Sequence, residues 1–326
     1  MRRYGRGFAC SLLLVFGLVW GADTASAESF EAWLEAFRQE ASAQGIGAAT
    51  LDQALDGLTP LPKVVELDGR QAEVRLDFRT YHRRVLSEER IRRGQRLLRE
   101  HRALLDRVAA DYGVQPRFII ALWGIESSYG EWRGQFPVVA ALATLAHDGR
   151  RRSFFQSELL KALRILDNGD IEIDDMVGSW AGAMGQSQFM PSSYLSYAVD
   201  YDGDGRRDIW SSHPDIFASI ANYLAEAGWD GRYTWGREVR LPTSWANASN
   251  GLDVFKPLAE WQALGVRRES GRDLPMVALD AALLRPDEQA GPAYLVYKNF
   301  RALMNWNRST YFGLTVGELS DLISHG

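Results

Sequence analysis

Phe118-Ile119-Ile120-Ala121-Leu122-Trp123-Gly124-Ile125-Glu126-Ser127-Ser128-Tyr129-Gly130 is an apolar run that ends in an acid. On periodicity alone it fits a buried strand or a helix segment. Its flanks decide for helix: Pro116 suits a first turn, Asp111 and Gly113 precede it, and Gly130 is placed to close it in a left-handed cap. Glu126 then falls in the last turn of a mostly buried helix. There it loses water and faces the negative end of the helix dipole, and both effects hold a carboxyl protonated. Such an acid can act as a proton donor near neutrality. The alternative is a side chain that turns to solvent or pairs with an arginine.

Outward from this stretch the chain reads as helical on both sides. Phe30 to Leu58 carries Phe30, Trp33, Leu34 and Phe37 on one face, with Ser29 as a cap. Pro60 and Pro62 break the pattern, and Lys63 to Leu76 reads as extended or irregular. Thr80 to Tyr112 is helical, with an apolar stripe from Tyr81 to Val108 and an arginine-rich outer face. Glu88, Glu89, Glu100 and Asp106 lie among those arginines, so the face reads as solvated and ion-paired, with an anionic-polymer contact as the sharper alternative. Helices are expected over Val138–Ala146, Arg150–Leu166 and Pro214–Ala227. Glu158 is a conceivable second acid, but beside Lys161 it reads as a surface charge.

From Gly231 the period changes. Arg237–Leu241, Pro275–Leu279 and Ala293–Tyr297 alternate as strands, with a short helix over Leu258–Leu264. Asn299 to Ile323 returns to helix, with no further module after it. The expected class is mainly α (α+β). Its parts are a leader over 1–27, an N-terminal helical lobe over 28–110, a core over 111–230, a small mixed α/β lobe over 231–298 and C-terminal helices over 299–326.

The leader has a basic start at Arg2, Arg3 and Arg6, an apolar segment from Phe8 to Trp20 and a small-residue cleavage site at Ala25-Ser26-Ala27. Export follows, with a soluble mature chain and no transmembrane segment. Cys10, the single cysteine among 326 residues, sits inside that apolar segment. It is badly placed for lipid attachment, and disulfide or zinc-thiolate construction is excluded. A core must therefore stabilise the chain, and a domain of about 300 residues buries roughly three quarters of its unfolded surface. The net charge of −5 argues against duplex nucleic acid as partner. Eleven Trp, 12 Tyr and 14 Phe are enough to line a sugar groove.

Two further stretches stand out. Ser179-Trp180-Ala181-Gly182-Ala183-Met184-Gly185-Gln186-Ser187-Gln188-Phe189-Met190-Pro191-Ser192-Ser193-Tyr194 combines small residues with amides. It could lay backbone and amide groups along a polar ligand or form a tight loop packed for shape. Asp200-Tyr201-Asp202-Gly203-Asp204-Gly205-Arg206-Arg207-Asp208 has the acid spacing of a calcium loop. Ser211 stands where the closing glutamate belongs, and Arg206 and Arg207 weaken a cation site. Asp200, Asp202, Asp204 and Asp208 are the weak metal candidates, against a self-bonded turn.

The segments Tyr112–Pro116, Trp123–Gly130 and Gly182–Tyr194, and Asn299-Phe300 with Trp306-Asn307-Arg308-Ser309, resemble the membrane-bound lytic murein transglycosylase B family over nearly the whole mature chain. The resemblance implies a bacterial cell-envelope enzyme with a lysozyme-like helical core, acting on peptidoglycan glycan strands and needing no cofactor. It implies cleavage between N-acetylmuramic acid and N-acetylglucosamine without water, leaving a 1,6-anhydromuramic end. Glu126 becomes the catalytic acid and base. Ser179, Gln188, Phe189, Tyr81 and Tyr223 match groove positions, and Phe154, Asn299, Trp306 and Asn307 are further substrate-binding candidates. Phe154, Trp306 and Phe312 replace expected tyrosines, which preserves ring stacking but loses hydroxyl donors. The alternatives are a hydrolytic muramidase, an inactive wall-binding protein and a sugar-transport component. Cell-wall machinery is a possible partner.

Overall fold

The structure, a computed structural model, describes residues 28–71, 76–243, 245, 251–287 and 291–324. The expected leader, Cys10 included, lies outside them. The chain is mainly helical with one small antiparallel sheet, as the pattern of apolar residues implies. Among the described residues no helix is long and apolar enough to cross a membrane.

The helix Pro116–Ser127 runs through the middle of the first of three apolar clusters, with Phe118, Ile119, Ile120, Ala121 and Leu122 all wholly buried. Each large side chain among them contributes about 2 kcal/mol through burial. Arg102–Tyr112, His213–Glu226, Asn299–Trp306 and Thr310–Ser324 surround it. Pro116 occupies the first turn as expected. The left-handed closure comes earlier than Gly130: Ser128 (φ 51°) and Tyr129 (φ 59°) already turn left. Two non-glycine residues in this region cost roughly 1–2 kcal/mol each. Burial of Tyr129 offsets that cost, together with the bond its hydroxyl donates to the Arg90 carbonyl (2.9 Å). Gly124 makes the turn possible, because a Cβ there would lie 2.4 Å from the Tyr129 ring.

A second cluster packs Val138–Asp148 and Arg152–Asp167 against the N-terminal helices Phe30–Ala43 and Ala48–Leu55. A third helix, Pro62–Gln71, joins them where extended chain was expected. Pro62 is its first residue, a position at which proline starts a helix instead of breaking it. Thr80–Tyr112 proves to be three helices, Phe78–Val85, Glu88–Glu100 and Arg102–Tyr112. Ser87 caps the second by accepting the Arg90 N–H. On the outer face Arg92 pairs with Glu88 (2.9 Å) and Arg102 with Asp106 (2.7 Å).

The third cluster lies under a five-stranded sheet ordered Phe255–Pro257, Asp280–Leu284, Ala293–Val296, Gly236–Arg240 and Arg267–Arg268. Leu283 pairs with Leu295, and Val239 with Ala293. The strand expected over Pro275–Leu279 is displaced to Asp280–Leu284. Met276 is 98% exposed, whereas residues 281–284 are buried, so the alternation marked a surface loop ahead of the true strand. The sheet also feeds the central cluster: Tyr294 and Val296 pack with Phe300 and Trp235 there.

Candidate active site

Glu126 sits in the last turn of Pro116–Ser127, half-buried, with protein atoms crowding its carboxyl. Loss of water pushes its pKa up to about 7. Opposing it is a hydrogen bond from Trp306, whose indole Nε1–H donates to Oε1 at 2.7 Å. Among the described residues no second carboxylate and no basic side chain contributes to that shift. The Tyr81 hydroxyl is close enough to Glu126 for its own proton to be held more tightly, after burial has raised it first.

Trp306 is the last residue of Asn299–Trp306 and stands in an aromatic cluster. Its ring centroid lies 5.2 Å from Phe189 and 4.7 Å from Tyr223, tilted by 56° and 57°. Tyr223 meets Phe189 at 5.8 Å and Tyr197 at 4.4 Å. The Tyr223 hydroxyl donates to the Asn305 carbonyl (2.8 Å), fixing the backbone next to the indole. Tilted pairs at these distances are favourable for ring quadrupoles, so the cluster is stiff.

The Ser179–Phe189 segment is a tight loop that reaches this cluster at Phe189. Ser179 closes its first turn: its N–H donates to the Ala183 carbonyl (2.7 Å), and its Oγ accepts the Ala183 N–H (3.0 Å). Met184 and Phe189 then bond each other across the tip (2.8 and 3.1 Å). Gln188 has positive φ (50°), and its amide donates to the carbonyls of Gly185 (2.8 Å) and Arg133 (3.4 Å). Gln186, which the sequence reading did not single out, pins the loop to the acid's helix. Its Oε1 accepts from Trp123 Nε1 (2.7 Å), and its Nε2 donates to the Trp210 carbonyl (2.8 Å). Gly130 leaves room for it, since a Cβ there would meet Gln186 Oε1 at 2.2 Å. A lone glutamine between glycine and serine carries no spacing signal for this role.

The structure thus gathers Glu126, Tyr81, Phe189, Tyr223 and Trp306, with Ser179 and Gln188 on the adjoining loop. It does not gather the rest. Asn299 is a buried structural tie: its amide accepts from Asp230 N–H (2.8 Å) and donates to the carbonyls of Asp230 (2.9 Å) and Tyr233 (3.0 Å). Phe312 is buried in the central cluster and cannot stack on a sugar. Phe154 stands 45% exposed, and its ring contact is with Phe155. Asn307 is exposed beside Trp306 and accepts the Ser309 N–H (3.0 Å). Glu158 is no surface charge: it is 3% exposed and accepts the Ser192 N–H (2.8 Å), with Lys161 at 3.6 Å.

In the aspartate loop, Asp200, Asp202 and Asp204 each bring a carboxylate oxygen within 4.8 Å of the others. Asp208 is turned away, accepting from the N–H groups of Trp210 (2.8 Å) and Ser211 (2.9 Å). The loop's turn is already closed by its own bonds. Asp200 accepts from Gly203, Asp204 and Gly205, and wholly buried Asp215 accepts from Tyr201 and Asp208. Three carboxylates fall short of the six to eight oxygens that calcium takes, so the donor set fits the ion in part.

The family model described as Transglycosylase SLT domain matches residues 29–321. Membrane-bound lytic murein transglycosylase B of Escherichia coli (strain K12) is 29% identical over 248 residues, which span 75% of this chain and 66% of that relative. SltB3 of Pseudomonas aeruginosa, solved with NAG-NAM-pentapeptide and separately with NAG-anhNAM-pentapeptide, superposes with a TM-score of 0.89 at 46% identity, covering 92% of this chain and 80% of that one. Slt35 of Escherichia coli, solved in complex with calcium, gives 0.77 at 27% identity, covering 90% and 92%. Fold, sequence and the conjunction of a desolvated acid with an aromatic cluster therefore lead to one assignment: the chain belongs to the Transglycosylase SLT domain family, the lytic transglycosylases of cell-wall peptidoglycan.

Proposed function

We propose that this enzyme cleaves the β-1,4 bond between N-acetylmuramic acid and N-acetylglucosamine by internal transfer, leaving a 1,6-anhydromuramic end. The observation that carries the reading is the setting of Glu126: a carboxyl withdrawn from water, pushed up to about 7, and held at Oε1 by the Trp306 indole at 2.7 Å. Glycosidases that use water or an enzymic nucleophile need a second carboxylate, about 5–5.5 Å away when retaining and about 6.5–9.5 Å away when inverting. One acid held near pKa 7 is enough when the sugar supplies its own nucleophile.

Glu126 protonates the glycosidic oxygen, and the C1–O bond breaks with its electron pair passing to that oxygen. The muramoyl ring goes through an oxocarbenium-like state, assisted by its own N-acetyl group. Its C6 hydroxyl then closes on C1 and returns its proton to Glu126, so no water is consumed. The closure is intramolecular and gains the effective concentration that this confers. Tyr81, Phe189 and Tyr223, with the loop carrying Ser179 and Gln188, form the glycan groove. The complexes of SltB3 with a muropeptide and with an anhydro-muropeptide support this reading by relationship. Calcium, where present, would be held by Asp200, Asp202 and Asp204 and would stiffen that loop.

Mass spectrometry of products from purified sacculi tests the reading. Anhydro ends, lighter by one water than reducing ends, are expected. Reducing ends alone would identify a hydrolytic muramidase, and intact glycan strands a wall-binding protein.

A further inference from the structure

We infer that Trp306 is a positioning residue that fixes the catalytic proton on Oε2 of Glu126 and keeps Oε1 as a permanent acceptor. The inference deepens the transglycosylase reading and rests on it. An indole N–H donates and never accepts. With that N–H 2.7 Å from Oε1, a proton on Oε1 would leave the indole only the weaker acceptor of the carboxyl. The carbonyl oxygen of a carboxyl accepts better than its hydroxyl oxygen, so while the bond stands the proton is favoured on the other oxygen. The two oxygens of the carboxyl are thereby divided: one takes part in a fixed bond, and the other exchanges a proton with substrate.

The geometry holds the indole to this task. Phe189 and Tyr223 flank it at 5.2 and 4.7 Å. The Tyr223 hydroxyl grips the Asn305 carbonyl, one residue before it in the chain, at 2.8 Å. The arrangement differs from a sugar platform, in which the ring face lies open and the N–H is free. In the reaction, the Oε2–H bond breaks as the proton moves to the glycosidic oxygen. The carboxylate so formed is steadied at Oε1 by the same N–H until Oε2 takes back the proton of the C6 hydroxyl. A fixed donor aimed at charge that develops during the reaction acts on kcat more than on KM.

The test compares the full-length wild type with Trp306→Phe, Trp306→Tyr and Glu126→Gln on a soluble glycan fragment. Trp306→Phe keeps an apolar ring and loses the N–H. It should lower kcat by roughly 10- to 100-fold, leave KM within about threefold, and move the alkaline limb of the pH profile upward, because the anion has lost a donor. Trp306→Tyr restores a donor and should recover part of kcat. The wild-type indole 15N–1H resonance gives an independent reading should Trp306→Phe fail to fold. It should titrate with a midpoint near the enzyme's alkaline limb, and the titration should vanish in Glu126→Gln. An unchanged kcat and pH limb in Trp306→Phe, a raised KM alone, or an indole signal silent to pH would each overturn the inference. Turnover by Glu126→Gln would instead sink the reading beneath it.

Discussion

Glu126 and Glu158 are both acids on helices of the body, both withdrawn from water, and their surroundings differ in kind. Glu158 accepts a backbone N–H from Ser192 at the start of the helix Pro191–Tyr197 and has Lys161 nearby. It occupies a site where a carboxylate satisfies an orphan donor and favours the helix dipole. Glu126 lies at the wrong end of its helix, accepts from the neutral Trp306 indole, has no cation acting on it among the described residues, and is pushed up to about 7. Burial is common to both, and the groups bonded to each carboxyl are what differ. What the neighbours offer the charged form decides between structure and chemistry.

The sharpest way to break this comparison is to neutralise each acid. Glu126→Gln should lose about 10³-fold or more of turnover while binding glycan and folding normally, as measured on purified peptidoglycan. Stability should move the other way. A carboxyl raised from 4.5 to about 7 by folding adds no penalty below the lower value, and its penalty grows as pH rises through that window. Glu126→Gln should therefore melt with the wild type at pH 4 and above it at pH 8, by up to about 3 kcal/mol. Equal melting at both pH values would mean that Glu126 is not desolvated.

Glu158→Ala should cost about 2 kcal/mol, lowering Tm by about 4 °C, with turnover per folded molecule unchanged. Glu158→Gln, which keeps an acceptor for Ser192, should cost about half as much. A loss of turnover without a loss of stability would bring Glu158 into the chemistry and end the contrast. The smallest effect is expected at the aspartate loop, whose turn its own bonds already close. Replacing millimolar calcium with a chelator should lower Tm by no more than about 2 °C and leave the product unchanged.

The acid's helix was legible because an unbroken apolar run bounded by Pro116 admits few readings. Leu258–Ala263 and Ala293–Val296 were legible for similar local reasons. Pro62 misled because proline both breaks and begins helices, and Pro275–Leu279 because alternation also marks an exposed loop. In the site, the acid and the Gly-Ala-Met-Gly-Gln loop were visible from their own residues. Trp306 was visible as a ring but not as a donor, since the partner that defines it lies 180 residues away in sequence. Asn299 shows the converse: motif membership placed it in the groove, while its amide closes backbone bonds inside the fold.

That separation of 180 residues carries a consequence for how the molecule comes into being. A polypeptide interrupted before its final helices would already contain the acid but not the indole that steadies it. Competence to cut the wall is thus among the last properties to mature as the chain is made and folded, and no early fragment holds the finished tool.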